Sequence, residues 1–448
     1  MSRLAGRTHT GENGQSSKAR VLDVTGIGFG AANLALAVAL HESRAAGQAL
    51  FLEKQEEFGW HRGMLIEGSS LQVSFLKDIA TMRNPTSDFG FLSYLQEKGR
   101  LVDFINQHTL LPSRVEYHDY LQWAADRLRH LVEYGVEATG VRPVAEAGEV
   151  VALDVLAGDR VVARTRNLVI ASGLRPRLPE GVETGERVWH SSQLLHRVPA
   201  FDERPPRRVV VVGAGQSAAE VAGHLMERYP QAEVCAVFAR YGYSVADSSP
   251  FANRVFDPAA VDDFYFAPPE VKQAILRYHG GTNYAVVDAD VLHGLYRRQY
   301  EQKVTGTPRL RLMNASRLVS VEQRADTAAV HVEFLPTGEI TDLDADLVVL
   351  ATGYQSADPA ELLGGVADAL RRDAAGQLLI GRDYRLSTNA DFRCGIYVQG
   401  ATEATHGIAS TLLSMVAVRA GEIAQSVIGR RCDPDRAAGS KATAGNRG

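Results

Sequence analysis

The run Val21-Leu22-Asp23-Val24-Thr25-Gly26-Ile27-Gly28-Phe29-Gly30, followed by the alanine-rich Ala31–His41 and then by Ala49–Glu53, decides the fold. A short apolar strand, a glycine turn, a helix and a second apolar strand make a β-α-β unit. Glycines let such a turn close tightly and bring backbone N–H groups to a phosphate at the positive end of the helix. The arrangement recurs. Arg208–Gly213 reads as a strand, Ser217–Tyr229 as a helix and Glu233–Ala239 as a strand, around the turn Gly213-Ala214-Gly215-Gln216-Ser217. Two such units predict an α/β chain with two Rossmann-like dinucleotide-binding domains.

The charged residues that follow the two units differ in sign. Glu53 lies 27 residues after Gly26, and Arg240 lies 27 residues after Gly213. An acid at that point hydrogen-bonds a ribose hydroxyl, whereas an arginine accommodates a 2′-phosphate. FAD in the first domain and NADPH in the second is the reading that follows, and with it a flavin oxidoreductase. The first fingerprint is imperfect, with Ala31 in its third position and Gly30 beside it.

Two further apolar runs end in matching turns, Asn167–Gly173 and Asp346–Tyr354. Continuous apolar runs suit strands buried on both faces. These runs predict a discontinuous FAD-binding domain, 21–200 plus 345–430, around an NADPH-binding domain at 205–345, with Arg204-Pro205-Pro206-Arg207 as linker. Residues 247–304 turn polar and aromatic with helical pieces. They are expected to form a small helical insertion that contacts substrate. Residues 1–20 and 431–448 are polar or rich in Ala, Gly and charge, and are expected to be a disordered arm and tail.

The chain has 448 residues, 45 % of them hydrophobic and 23 % charged, with a formal net charge of −5. That balance gives no electrostatic reason to expect nucleic acid or an anionic membrane. No apolar run reaches the ~18 residues that cross a bilayer. Three scattered cysteines, Cys235, Cys394 and Cys432, form no C-x-x-C. That argues against a disulfide framework, a zinc site or a dithiol centre, and for a reducing cytoplasm.

Several polar residues stand out. Lys77, in Gln72-Val73-Ser74-Phe75-Leu76-Lys77-Asp78, sits in an apolar stretch. It is either a lysine whose stem runs to the surface or a cation for a substrate carboxylate. Asn253 and Asn283 lie in turn-like surroundings, where asparagine is common without any ligand. Ser414, near the start of the last helix, is either a serine bonded to its own turn or a polar group facing substrate. His406 reads as a structural histidine beside a cap.

Together these segments resemble the siderophore-type ornithine/lysine N-hydroxylases, a branch of the class B flavin monooxygenases. The resemblance covers Val21 to Ile428 and rests on ordered stretches. Among them are Gly26–Gly30 running on to Asn33-Leu34, Trp60-His61, Gln72–Asp78, His118-Asp119-Tyr120, Trp189-His190-Ser191-Ser192, Gly215–Glu220, Ser249-Pro250-Phe251, Thr282-Asn283-Tyr284, Ala351-Thr352-Gly353-Tyr354 and His406-Gly407-Ile408. It implies an NADPH- and FAD-dependent monooxygenase that uses dioxygen, through a C4a-hydroperoxyflavin, to hydroxylate the side-chain amine of L-ornithine. Lysine stands second as substrate, then a diamine or uncoupled NADPH oxidation. It further implies siderophore or hydroxamate biosynthesis and a homotetramer.

Carried over residue by residue, Lys77, Gln72, Asn253, Asn283, Leu412 and Ser414 would meet the substrate. Gly26, Gly28, Gly30, Glu53, Lys54, Trp60, His61, Gln72, Thr411, Leu412 and Leu413 would hold FAD. Gly213, Ala214, Gly215, Gln216, Ser217, Glu220, Arg240, Asn283 and Tyr284 would hold NADPH. No metal is implied. The chain departs from the family pattern at Ala31, Ala285 and Met415. Met415, beside Ser414, is expected to reshape the amine pocket.

Overall fold

The computed structural model describes residues 20–432. The expected arm and tail lie outside these residues, save Arg20 and the end of the last helix, Val416–Cys432.

The first glycine unit forms as read: strand Val21–Ile27, helix Ala31–Glu42, strand Ala49–Glu53. The helix is buried almost all round, from Asn33 through Leu40. Its alanines let it lie close between the sheet and the last helix, as an apolar helix inside a large domain must. The sheet has seven strands, in the order Val132–Tyr134, Ala49–Glu53, Val21–Ile27, Arg160–Ile170, Glu149–Ala157, Gly140–Glu146, and Gly395–Val398 also pairs with Arg160–Ile170. That long strand changes partner along its length. Its first half runs antiparallel to Glu149–Ala157 and its second half parallel to Gly395–Val398. The first sheet therefore draws strands from both ends of the chain.

The second sheet is wholly parallel, in the order Leu310–Met313, Glu233–Val237, Arg208–Val212, Leu347–Leu350, Val188–His190. Two of these strands shift the expected bounds of 205 and 345. Val188–His190 and Leu347–Leu350 both lie in the second sheet, because Val348 pairs with Val210 on one side and Val188 on the other. All three are fully buried. The chain crosses back only beyond Leu350, beside the short antiparallel pair Leu174–Pro176 and Tyr354–Ser356. An antiparallel layer, Ser316–Gln323, Ala328–Phe334 and Glu339–Ala345, covers one face, packing Val330, Val332 and Leu343 on Val210 and Val348. The sequence reading had no counterpart for it.

The segment 247–304 is helical, as expected, with Pro258–Phe266, Pro269–His279 and Ala289–Thr305. Its first helix docks on the first domain, against Glu403–His406. The Tyr265 hydroxyl donates to the Ile380 carbonyl at 3.0 Å. Arg382 forks onto the Glu422 carboxylate at 2.9 and 3.0 Å and reaches Asp262 of that helix at 2.5 Å. Among the described residues, no helix is long and apolar enough to cross a membrane, and no cluster of side chains could hold a metal ion.

Candidate functional site

The two glycine turns are closed by the same backbone contacts. Gly28 N–H donates to the Leu52 carbonyl at 2.8 Å and Ala171 N–H to Ile27 at 2.9 Å. In the second unit, Gly213 N–H donates to Val237 at 3.0 Å and Ala351 N–H to Val212 at 2.8 Å. A Cβ on Gly28 would stand 2.4 Å from the Ala171 carbonyl oxygen, and one on Gly213 would stand 2.3 Å from that of Ala351. Both glycines have positive φ, +82° and +145°, so both positions require glycine. Gly30 and Gly215 then cap the two helices. Nothing lies within 4 Å of where a Gly30 Cβ would point. That open cradle at a helix N-terminus fits a pyrophosphate.

Gly28 thus corresponds to Gly213, and Gly26 lies inside the strand, where a Cβ would strike the Phe51 ring at 2.3 Å. Two sequence expectations change. The third fingerprint position is Asn33, not Ala31, and its amide donates to the Gly28 carbonyl at 2.7 Å. The offsets of Glu53 and Arg240 were counted from non-equivalent glycines. In register Glu53 matches Phe238, and Arg240 stands two residues farther on.

Glu53 is buried, its carboxylate accepting the N–H groups of Phe29 at 2.7 Å and Gln55 at 2.9 Å. It therefore faces the first turn, while Lys54 is exposed. Arg240 is exposed at the mouth of the second cradle and donates to the Ala285 carbonyl at 2.8 Å. Trp60 and His61 stand edge to face, with ring centroids 4.7 Å apart, and His61 also meets Tyr354 at 6.3 Å. A cleft of about 270 Å³ runs beside them, lined by Gln55, His61, Arg62, Ser192, His196 and Tyr354 among others.

Most candidate substrate residues sit on turns that meet at the segment 403–415. Lys77 ends the turn Phe75–Lys77, which packs against Leu413–Met415. Its neighbour Asp78 is buried and accepts from Ala80 N–H (2.8 Å), Thr81 N–H (2.6 Å), Thr81 Oγ1 (2.8 Å) and Phe91 N–H (2.7 Å). That carboxylate fixes the backbone beneath Lys77, which is itself half-buried. Asn253, half-buried, lies on Ala252–Phe256, which packs against Ile408–Thr411, and its amide donates to the Ser248 carbonyl at 3.1 Å. Asn283 follows the turn Gly280–Thr282, and the hydroxyl of the next residue, Tyr284, donates to the Glu403 carboxylate.

Ser414 is buried, and its hydroxyl has no hydrogen-bond partner among the described residues. The reading in which it bonds back to its own turn therefore fails. Thr411, Leu412 and Leu413 are half-buried beside it. Met415 behaves otherwise than expected. It is buried with Val261, Ala409 and Phe256 and so joins the insertion to the Ser414 turn instead of lining an open pocket.

Gln72 and Glu220 belong to a contact between the two domains. Arg114 donates to both oxygens of Glu220, at 2.7 and 2.8 Å, and both side chains are largely buried. Gln216, the first residue of the second cradle's helix, donates to Glu220 at 2.7 Å and accepts from Asp288 N–H at 2.8 Å. Gln72 stands beside the Asp288 carboxylate, whose pKa burial raises. Glu220, grouped by resemblance with the NADPH cradle, thus faces inward on the second turn of its helix. Ala214, Gly215, Gln216 and Ser217 remain half-buried at the cradle itself.

His406 is a structural group. It is buried, stacks on Tyr384 with centroids 4.1 Å apart, and bonds Thr405 Oγ1 at 2.8 Å and the Arg382 carbonyl at 3.2 Å. Burial lowers its pKa to about 4, against which the hydrogen bond to Arg382 acts only in part.

Two predictions follow from these contacts. Arg114→Met leaves a buried carboxylate unpaired and costs about 3 kcal/mol of unfolding free energy, whereas Arg114→Met with Glu220→Gln costs less. Denaturant titration of the three proteins checks the order. His406 is neutral in the native state and takes up a proton on unfolding below its ordinary pKa of about 6.5. Stability therefore falls as pH drops from about 6.5 towards 4, by up to about 3 kcal/mol from this group. His406→Gln flattens that part of the pH profile, as read by thermal melts across the range.

A family model described as L-lysine 6-monooxygenase/L-ornithine 5-monooxygenase matches residues 20–356. The L-ornithine N(5)-monooxygenase of Pseudomonas aeruginosa is 39 % identical over 428 residues, covering 92 % of this chain and 95 % of that protein. Among solved structures, Kutzneria sp. 744 ornithine N-hydroxylase, with reduced FAD, NADP+ and L-ornithine, superposes with a TM-score of 0.89 at 48 % identity, over 92 % of this chain and all of that one. The L-lysine 6-monooxygenase of Pseudomonas syringae gives 0.81 at 35 % identity, over 91 % and 99 %. With a matching family model across most of its length and relatives of this identity along nearly all of it, the chain belongs to the L-lysine 6-monooxygenase/L-ornithine 5-monooxygenase family.

Proposed function

We propose that the protein is an NADPH- and FAD-dependent monooxygenase that hydroxylates N5 of L-ornithine, with lysine the second reading. The observation that carries it is the buried Ser414 hydroxyl, unpartnered among the described residues, on a turn packed against the turn that bears Lys77. A cation and an open polar group held by adjoining turns suit a substrate with a carboxylate at one end and an amine at the other. The relatives named for ornithine favour the shorter amino acid. Lysine is kept because the family model covers both, and a diamine would leave Lys77 without a carboxylate.

FAD, reduced by NADPH, supplies the activation of dioxygen. The first cradle, Gly28 to Ala31, with Glu53 beneath it, would hold the FAD diphosphate and ribose. Trp60, His61 and Thr411 to Leu413 would flank the rest of FAD, with Gln72 nearby. The second cradle, Gly213 to Ser217, would hold NADPH, with Arg240 at its mouth for the 2′-phosphate and Asn283 and Tyr284 nearer the nicotinamide end. Lys77 pairs with the substrate carboxylate, and Asn253 and Asn283 hydrogen-bond the α-end.

At the far end the amine must react as the neutral base, although its ordinary pKa is about 10.4. Burial disfavours the ammonium. The Ser414 oxygen can accept one N–H and so orient the nitrogen lone pair, and the half-buried leucines beside it exclude water. The hydroxylated product suits hydroxamate siderophore assembly in the cytoplasm, and the family reading is a homotetramer.

NADPH-dependent hydroxylamine formation with L-ornithine, L-lysine and putrescine in parallel tests the reading, with product from ornithine expected. Peroxide without hydroxylamine from any of the three overturns it. Lys77→Ala raises the ornithine KM by at least tenfold while flavin content holds, and unchanged coupled turnover by that variant removes Lys77 from the carboxylate.

A further inference from the structure

Arg419 poses an electrostatic problem that no ion pair among the described residues solves, Glu422 acting on it only through space. It lies in the first turn of the last helix and is only 3 % exposed. Among the described residues no carboxylate forms an ion pair with it. Its nearest acid along the helix, Glu422, is engaged by Arg382. The guanidinium bonds only neutral acceptors, the Ser410 carbonyl at 2.6 Å through Nη1 and the Gln399 Oε1 at 3.4 Å through Nε. Burying an unpaired cation costs several kcal/mol, and the first turn of a helix is the positive end of its dipole, where a cation gains nothing. Such a charge is tolerated where an anion arrives from outside the chain.

The contacts of Arg419 lead to one place. Gln399 donates to Asn33 Oδ1 at 2.9 Å and to the Ala32 carbonyl at 3.4 Å. Asn33 in turn donates to the Gly28 carbonyl at 2.7 Å. Gly28 to Ala31 is the first cradle, open above Gly30. On the other side, Ser410 leads into the segment that presents Leu412 and Ser414. Arg419 therefore links, through Gln399 and Asn33, to the cradle and bonds the turn Ile408–Thr411 that precedes the Ser414 turn.

We propose that Arg419 is the internal counter-charge for the FAD diphosphate, and that through Ser410 and Gln399 it couples occupancy of the cradle to the position of the Ser414 turn. The inference rests on the FAD reading above. It makes Arg419 a positioning residue with an unusual signature. Without FAD the charge is a burden, so removing it does not lower stability. With FAD the charge stabilises, so removing it weakens the cofactor.

The test uses the full chain, stripped of flavin by dialysis and reloaded, as wild type, Arg419→Met and Arg419→Lys. Melting temperatures with and without FAD, FAD dissociation constants from flavin fluorescence quenching, and ADP as a second diphosphate probe are measured on each. The expected result for Arg419→Met is a flavin-free melting temperature equal to or above wild type, a reduced FAD-induced shift, and a Kd for FAD and for ADP raised at least tenfold. Arg419→Lys, which keeps the charge, stays within about threefold of wild type in both. Full FAD affinity in Arg419→Met overturns the counter-charge while leaving the FAD reading intact. Equal losses of flavin-free stability and FAD binding in both variants overturn it in favour of packing alone. If the wild type itself gains no stability from FAD, the FAD reading falls and the proposal with it.

Discussion

The centre of this molecule depends on how a mixed seven-stranded sheet and a parallel five-stranded sheet are held relative to each other, and one buried ion pair joins the domains built on them. Arg114 begins a helix of the first domain, and Glu220 lies one turn into the glycine-turn helix of the second. Their fork has two N–H···O contacts at 2.7 and 2.8 Å, a geometry that fixes direction as well as distance. Such a pair gains little net stability over an apolar replacement, because both charges lose their water. It does penalise every arrangement that separates them. Through Gln216 and Asp288 the constraint reaches the cradle of the second domain, and through Gln72 it reaches the stretch that ends in Lys77.

A second tie acts on the other side of the site. The insertion belongs in sequence to the second domain but packs on the first. Arg382 binds Asp262 and Glu422 together, and Met415 closes a small apolar cluster with Phe256 and Val261. Asn253 lies on the same turn as Phe256, and Ser414 is adjacent to Met415. The residues proposed to meet the two ends of the substrate are thereby joined through one set of buried contacts. Met415 is buried in that cluster, next to Ser414.

The legibility of the sequence followed the strength of its local signals. Strand, turn and helix around Gly28 and Gly213 were readable to within a residue or two, because apolar runs and obligatory glycines leave few alternatives. The register between the two turns was not, since Gly26 offers a second glycine two positions early, and only the strand pairing shows that it is packed under the Phe51 ring. The bound at residue 200 leaves Val188–His190 with the first domain, whereas the strand pairs in the second sheet. Three residues carry no periodicity, and their partner, Leu347–Leu350, is distant in sequence. Lys77, Asn253, Asn283 and Ser414 were legible as unusual polar residues and by resemblance, but not as neighbours, since that depends on turns converging from four regions of the chain. Arg114 and Arg419 gave no sequence signal, because an arginine in a helix is ordinary until its burial and its partners are known.

Buried charge is also what separates the candidate substrates on physical grounds. An amine with an ordinary pKa near 10.4 is about 3.4 units from being half neutral at pH 7, so presenting it as a base costs about 4.6 kcal/mol. A carboxylate beside it would add to that cost by holding the proton. The Ser414 oxygen offers an acceptor without charge, and burial around it penalises the ammonium further. At the other end the requirement reverses: a substrate carboxylate needs a cation, the role proposed for Lys77, whose backbone the buried Asp78 holds in place. A molecule that carries a carboxylate at one end and can present a neutral amine at the other matches both demands at once. An α-amino acid with a terminal amine has that form, and a diamine does not. The proposed site thus selects its substrate less by shape than by where it permits charge.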